Sequence, residues 1–506
     1  MNEFSNNHRH NEIPLKDDFV KKNQKTEYSS DRPIKIICRL VQESLYDCVN
    51  DTSLYGLPKS IKKNYHIVVR ISWMMAFIGL SAYGIYGVVQ LFQAYFSYPS
   101  YITTKLVQEL PTQFPAVSFC NMKNIDRKTS FAQAYITPIY TQNSFANLPT
   151  FQLMEVSFYH NLYQINSDPG LNYTSRKLLG FQIEDMLVSC SYNYNICNST
   201  DFKYFYHAQY GNCYTFNGDL PTKTISMPGR KYGLIMEFYL GNPDVDTVDN
   251  YEDGVFVSID NQSDVPFTKT DVLKVAAGSD TDFIMNRNFQ IKLPPPYGNC
   301  MKNEFSSDLY DYIVNTLQKT YSQDLCFSLC IQQQSKRYCG CSNVFLPLFL
   351  NDSTNICSLS NEKINCFLDI IDNSSSYDTC KNMCPFECNK VEFEISSKHG
   401  LYPTNYYQKV LQAYAQYKNL SVSFANIPKA FAKLNVFYHS MEYKLIQQTQ
   451  AYQINDLIAG LGGILGLCLG FSLLSAFEIL HLLFNVIHKI INFFLTQSQI
   501  KKVAPK

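Results

Sequence analysis

Between Ile71 and Thr104 the chain has no Lys, Arg, Asp or Glu, and Leu457 to Phe477 is a run of 21 uncharged residues. The apolar heart of the first run is Ile71 to Tyr95. After Glu478 the second run resumes and lasts to about Ile487. About 20 helical residues cross the hydrocarbon core of a bilayer, so both runs are long enough to span it. The alternative, two helices buried in a large soluble core, fits the flanks poorly. Lys59, Lys62, Lys63 and Arg70 precede the first run; Lys489, Lys501, Lys502 and Lys506 follow the second. Basic residues near span ends stay on the cytoplasmic side, which predicts a plasma-membrane protein with both termini inside. The first ~60 residues are polar and lack the apolar stretch of a signal peptide, so the first span is expected to act as its own insertion signal. The predicted fold class is an α+β membrane protein: two transmembrane helices with a large disulfide-rich, β-containing extracellular domain. The expected segments are a cytoplasmic stretch 1–66, a first span 67–95, an extracellular domain 96–455, a second span 456–487 and a cytoplasmic tail 488–506.

The cysteines fit that division. Of 17, Cys38 and Cys48 fall inside and Cys468 in the second span. The other 14 all fall outside: Cys120, Cys190, Cys197, Cys213, Cys300, Cys326, Cys330, Cys339, Cys341, Cys357, Cys366, Cys380, Cys384 and Cys388. An even number in an oxidising compartment reads as up to seven disulfides. A zinc cluster is not expected, because C-x2-C pairs are absent and no histidine sits at ligand spacing. The three-residue gaps of Cys326/Cys330 and Cys380/Cys384/Cys388 put each set on one helical face, and two such faces can be stitched as a ladder. Asn-x-Ser/Thr sequons at Asn172, Asn198, Asn261, Asn351, Asn373 and Asn419 lie in the proposed outer region, as glycosylation requires. Residues 254–260 and 289–293 alternate as strands do, the second ended by ProProProTyrGly. Residues 308–318 have helical apolar spacing. The 43 basic residues balance 43 acidic ones, which argues against a nucleic-acid binder. Neither a nucleophile–base motif nor a phosphate loop points to an enzyme, and no cofactor is expected.

The second span is more than an anchor. It carries Gly460, Gly462, Gly463, Gly466 and Gly470. Glycines let helices pack closely. They also permit a non-helical stretch whose carbonyls face water. Both readings stand for this segment. Gly470-Phe471-Ser472 offers a carbonyl and a hydroxyl to a cation. Glu478 is an ionisable group within a span, hence a functional candidate, with snorkelling at the inner interface as the plainer alternative. Two spans cannot enclose a wide pore, so a channel needs several subunits.

Several segments together resemble the degenerin/epithelial sodium channel family, which includes acid-sensing and FMRFamide-gated channels. They are 52–58 (ThrSerLeuTyrGlyLeuPro), 114–121 (PheProAlaValSerPheCysAsn), 189–193, 210–217, 293–300 (LeuProProProTyrGlyAsnCys), 384–388 (CysProPheGluCys), 433–437 and 460–472. The resemblance implies a trimer with a β-rich outer domain and a pore lined by the second span. It implies the pairs Cys120–Cys213 and Cys190–Cys197. It also implies a nested thumb ladder over about 300–390: Cys300–Cys388, Cys326–Cys384, Cys330–Cys380, Cys339–Cys366 and Cys341–Cys357. Gly470, Phe471 and Ser472 fall on the selectivity motif, and Ala459 on the position whose enlargement locks such channels open. Gly460, Gly462, Gly463 and Glu478 join the pore and gate. Tyr98 and Tyr297 fall on an aromatic contact coupling outer domain to pore, and Tyr55-Gly56 on a cytosolic gating motif.

Four positions depart from the family pattern. Tyr55 stands where His is usual, Phe471 where a small residue is, Gly460 where Asp is common, and His481 where an inner-end acid is frequent. The implied function is a trimeric, amiloride-sensitive, sodium-permeable cation channel gated from outside. A neuropeptide is the favoured agonist, from the wording of 189–193 and 210–217. Acid, constitutive or mechanical gating follows, then a non-conducting auxiliary subunit. Asp244, Asp246, Asp249, Glu252 and Asp253 form an acidic cluster that can sense protons or bind calcium, or simply be a solvated loop. An ATP-gated receptor shares the topology, but that family binds triphosphate with clustered outer Lys and Arg, and no such outer cluster stands beside the spans. Expected partners are related subunits in a homo- or heterotrimer, sodium ions, membrane lipid and an extracellular peptide.

Overall fold

A computed structural model describes residues 41–42, 57–61, 65–126, 132, 160–168, 170–243, 252–268, 272–301, 307–349, 356–357, 366–367, 369–370 and 374–503. The chain divides into two units: the terminal segments up to Ser97 and from Gln453, and the middle, Tyr98–Tyr452.

In the first unit, α1 (Ile67–Phe96) is 30 residues long, about 45 Å, with its apolar side chains exposed. A soluble protein does not leave such a surface bare; the exposure fits lipid. Before α1, a short helix Leu57–Ile61 is tied to it. The Arg70 Nε donates to the Ser60 carbonyl at 3.1 Å, and Lys59 lies 4.5 Å from the Trp73 ring centre.

Among the described residues the middle unit holds two large sheets and two two-stranded ones. The strands of the large sheets, in chain order, are β1 (Ser100–Gln108), β2 (Ala116–Asn121), β3 (Leu187–Tyr192), β4 (Asn195–Ile196), β5 (Phe202–His207) and β6 (Gly211–Phe216). They continue as β7 (Leu234–Tyr239), β8 (Gly254–Asp260), β9 (Leu273–Ala276), β10 (Ser279–Ile291), β11 (Asn389–Leu401) and β12 (Phe431–Gln450). One sheet runs β11-β10-β12-β7-β3-β4, with β1 also paired to β12; the other runs β9-β8-β2-β6-β5. The expected strand at 254–260 is β8, and that at 289–293 is the end of the longer β10. Between the sheets lies the core, where Phe119, Met236, Phe238, Met285, Leu434 and Val436 are fully buried. On the other face of β7 a buried carboxylate, Glu237, is satisfied: it accepts from Ser189 Oγ at 2.6 Å and from the Tyr407 and Tyr402 hydroxyls at 3.0 and 3.2 Å. Burial, then Glu237, raises the pKa of both phenols, that of Tyr407 to about 12.

The thumb is helical. α2 (Gln323–Cys339) starts where Ser322 caps the Leu325 N–H and stops at Gly340, whose φ of +70° is left-handed. Beside it lies α3 (Ser374–Met383). Disulfides join Cys326–Cys384 and Cys330–Cys380 at equal Cα separations of 5.7 Å, the geometry of two rungs on facing helical turns. Cys339–Cys366 and Cys341–Cys357 close the tip; Cys300–Cys388 closes the base, where Cys300–Met301 pairs with Phe386–Glu387. Cys120–Cys213 and Cys190–Cys197 lie in the sheets. These are the seven pairs the resemblance implied. The helical stretch expected at 308–318 is a short turn, Asp308–Asp311, followed by a wider one, Tyr312–Thr316. A further helix, α4 (Asn405–Tyr417), follows β11.

The second span differs from the single stretch 456–487 expected above. It is two helices, α5 (Ile454–Leu469) and α6 (Leu473–Val503), interrupted at residues 470–472. α6 also carries helix well into the segment expected to be a tail.

Candidate functional site

The interruption has a local cause. Gly470 takes φ +67°, a left-handed conformation that costs other residues a Cβ clash, and its N–H bonds back to the Gly466 carbonyl at 2.9 Å. Ser472 then restarts the helix: Ser475 N–H donates to its Oγ at 3.3 Å, and Ser472 N–H donates to Ser475 Oγ at 3.1 Å. Gly470, Phe471 and Ser472 are therefore together in the one non-helical stretch within the span. Phe471 is half-buried and Ser472 exposed in the single chain. In hydrocarbon, backbone freed from a helix must find water or protein.

The glycines of α5 divide by face. A Cβ on Gly460 would come within 2.9 Å of Leu91 on α1. On α1 itself, a Cβ on Gly84 would lie 3.3 Å from the Cβ of buried Cys468, and one on Gly87 3.3 Å from Ile464. These residues form the seam between α1 and α5. Gly462 and Gly463 meet nothing within 4 Å, and Ala459 is exposed. The two readings of the glycines, close packing and helix interruption, thus belong to different glycines. Glu478 belongs to neither group: it is half-buried on α6, about two turns past Ser472.

In the middle unit the Tyr98 and Tyr297 rings meet edge to face, their centres 5.2 Å apart. Gln448, on β12, carried no signal in the sequence and holds this corner. Its Nε2 donates to Ser100 Oγ at 2.7 Å and to the Tyr297 carbonyl at 3.3 Å, while its Oε1 accepts from Leu293 N–H at 3.0 Å. One side chain thus joins β12, β1 and the turn before the thumb. Gly298 closes that turn, since a Cβ there would strike the Leu293 carbonyl at 2.2 Å. Further along β12, Tyr443 meets Phe289 edge to face, and both rings lie near the Arg287 guanidinium, which pairs with Glu109. Burial lowers the Arg287 pKa.

Tyr55 and Gly56 lie outside the described residues, as do Asn351, Asn373, Asp244, Asp246 and Asp249. The remaining members of the acidic cluster are ion-paired: Glu252 with Lys274 at 2.5 Å and Asp253 with Lys123 at 3.1 Å. Asn172, Asn198 and Asn419 are exposed and Asn261 half-exposed.

Among the clefts that the described residues of the middle unit form, two bear on ligand binding. One, of about 880 Å3, lies between α2, α3 and strands β10 and β11, and mixes Asp324, Glu392 and Glu394 with Lys381 and Lys390. The other, of about 390 Å3, is mostly apolar, lined by Phe205, Val265, Leu325 and Leu329; its charged residues are Lys203, Lys319, Asp219, Asp260 and Asp264, with Lys203 ion-paired to Asp219 at 2.8 Å. Burial, then the nearby Lys203, lowers the Lys319 pKa.

The family model described as amiloride-sensitive sodium channel matches residues 48–482. The human bile acid-sensitive ion channel is 25% identical over 476 residues, 89% of this chain and 87% of that protein. The human epithelial sodium channel subunit alpha is 26% identical over 336 residues, 65% of this chain and 49% of the subunit. The bovine subunit beta is 24% identical over 305 residues, 59% of this chain and 47% of the subunit. The chain thus aligns with about half the length of these epithelial channel subunits.

Proposed function

The chain belongs to the amiloride-sensitive sodium channel family and is an ion-channel subunit rather than an enzyme; from that premise we propose that three such subunits enclose a sodium-permeable pore in the plasma membrane, opened by an extracellular ligand. The observation that carries this reading is the interruption at Gly470–Ser472. It is non-helical backbone inside an apolar, lipid-length segment, which a bilayer tolerates only where it lines water or packs on protein. Carbonyls at Gly470 and hydroxyls at Ser472, repeated around an axis, replace part of a sodium ion's hydration shell. Ala459 and Gly462 stand on the α5 side away from the α1 seam, where the pore is narrowed or widened. Both termini and 488–506 are cytoplasmic; the middle unit is extracellular and glycosylated at Asn172, Asn198, Asn261 and Asn419.

The proposed agonist is a short neuropeptide, whose size and charged groups suit the cleft of mixed charge beside the thumb. Ligand binding shifts a closed–open equilibrium only through its different affinity for the two states. Movement of the thumb base passes through Tyr297 and Gln448 to Tyr98 and β12, whose chain neighbours are the outer ends of α1 and α5. A second reading is supported by the smaller cleft, whose mostly apolar lining suits the apolar body of a bile acid, the ligand class in the name of the human relative. Recording from oocytes during peptide, bile acid and acid steps separates them. An amiloride-blocked inward sodium current evoked by peptide supports the first reading, and one evoked only by bile acid supports the second. No current under any stimulus, even with Ala459→Phe, contradicts a homomeric channel.

A further inference from the structure

Between Leu473 and Leu495 α6 is mostly apolar, and apart from Ser475 and Lys489 its polar residues are not scattered. Glu478, His481, Asn485, His488 and Asn492 follow one another at intervals of three, four, three and four residues. At 3.6 residues per turn this is one stripe along one face, about 20 Å long. Its side chains are exposed or half-exposed in the single chain. His481 Nε2 lies 3.0 Å from Asn485 Nδ2, and His488 Nε2 3.3 Å from Asn492 Nδ2. Turned to lipid, such a stripe would cost several kcal/mol, so it faces water or other copies of itself. Resting on the pore-lining role proposed above, the stripes of the subunits meet around the pore axis.

We infer that His481 from three copies, with Glu478 one turn before it, forms a transition-metal site across the pore, on the cytoplasmic side of Gly470–Ser472. Glu-x-x-His on a helix sets a carboxylate and an imidazole on the same face, a spacing that builds metal centres between facing helices. Zinc takes imidazole nitrogen and carboxylate oxygen in four-coordinate geometry, and three imidazoles leave one position for water. A single chain cannot supply the donors: among the described residues no three His, Cys, Asp or Glu side chains gather to hold a metal. The site therefore exists only in the assembly. Asn485 is its outer support. With the Asn485 amide turned so that its oxygen accepts from Nε2–H, His481 Nδ1 keeps its lone pair for the metal. A bound zinc ion would sit in the ion path and oppose cation flow from the inside by charge and by size.

The test applies zinc chloride to the cytoplasmic face of inside-out patches holding the full-length channel, with magnesium chloride as control. Zinc is expected to reduce the current where equal magnesium does not. His481→Ala, and His481→Gln as a milder variant, should raise the half-blocking zinc concentration about tenfold or more, and Asn485→Ala by less. Equal zinc block of wild type and His481 variants overturns the site. Calorimetric zinc titration of the purified full-length protein needs no current. It should show about one ion per three chains that His481→Ala removes. Absence of that His481-dependent binding overturns the site as well. Zinc binding without any current contradicts the channel reading and leaves the site standing. An amiloride-blocked current with no His481-dependent zinc effect does the reverse.

Discussion

The middle unit and the membrane unit are held by different means. The middle unit has two sheets around a buried aromatic and aliphatic core, seven disulfides, and a 20-residue strand, β12, that joins distant parts of the chain. The membrane unit has one narrow seam in which Gly84, Gly87 and Gly460 let α1 and α5 touch, and a helix broken in its middle. Packing in the first is redundant, so it acts as a stiff body. In the second a few small residues set the helix spacing, so a slight shift changes what the broken segment lines. Stiffness in one region and adjustability in the other are what transmission of a ligand signal to a pore requires.

The largest effect should come from the stiff region. Replacing Cys326 and Cys384 by Ser opens a crosslink between residues 58 apart, at a cost of about 2–5 kcal/mol. Thermal unfolding of the purified protein should drop by several degrees, while ion selectivity of the surviving channels stays unchanged. A changed ion ratio would blur the division. Next is Gly84→Leu, which drives a side chain into Cys468 and should cost about 1–3 kcal/mol in the seam. Here the reverse pattern is expected: altered open probability in single-channel records, with little change in the outer domain's melting.

Gln448→Ala acts within the middle unit, on the corner beside Tyr98. It removes the hydrogen bonds that Gln448 makes to the Leu293 N–H and the Tyr297 carbonyl, at a cost of about 1–3 kcal/mol. Surface labelling should be near normal and the agonist response weakened severalfold. Equal loss of both would make Gln448 merely structural.

The smallest effect is acid sensitivity within the stiff region. His207 stacks on Tyr210, and burial pushes its pKa down to about 4. A histidine held neutral in the fold stabilises it above its unfolded value of about 6.5, and that contribution shrinks as pH falls from there toward 4. Melting of the purified protein between pH 7 and 6 should reveal a loss of about 0.7 kcal/mol that His207→Phe removes.

The spans were legible because a bilayer demands length and low charge, and Ile71–Tyr95 and Leu457–Phe477 meet both. The thumb ladder was partly legible, because a three-residue cysteine gap means one helical face. Which glycine breaks the second span was not: Gly460, Gly462, Gly463, Gly466 and Gly470 look alike until neighbours assign Gly460 to the seam and a left-handed φ to Gly470. Gln448 was hidden for a different reason. It sits among Gln447 and Gln450 in a strand, and its partners Ser100 and Leu293 are more than 150 residues away. Two of the acidic-cluster residues, Glu252 and Asp253, read as a candidate proton or calcium sensor, but their lysine partners lie elsewhere in sequence.

The central claim is that residues 470–472 line the ion path. Substituting Ser472→Cys and applying external cadmium during an amiloride-blocked sodium current tests it most directly, with the wild type as control for Cys468. The account predicts that cadmium abolishes the current of Ser472→Cys and spares the wild type. A Ser472→Cys current that cadmium leaves untouched would contradict it.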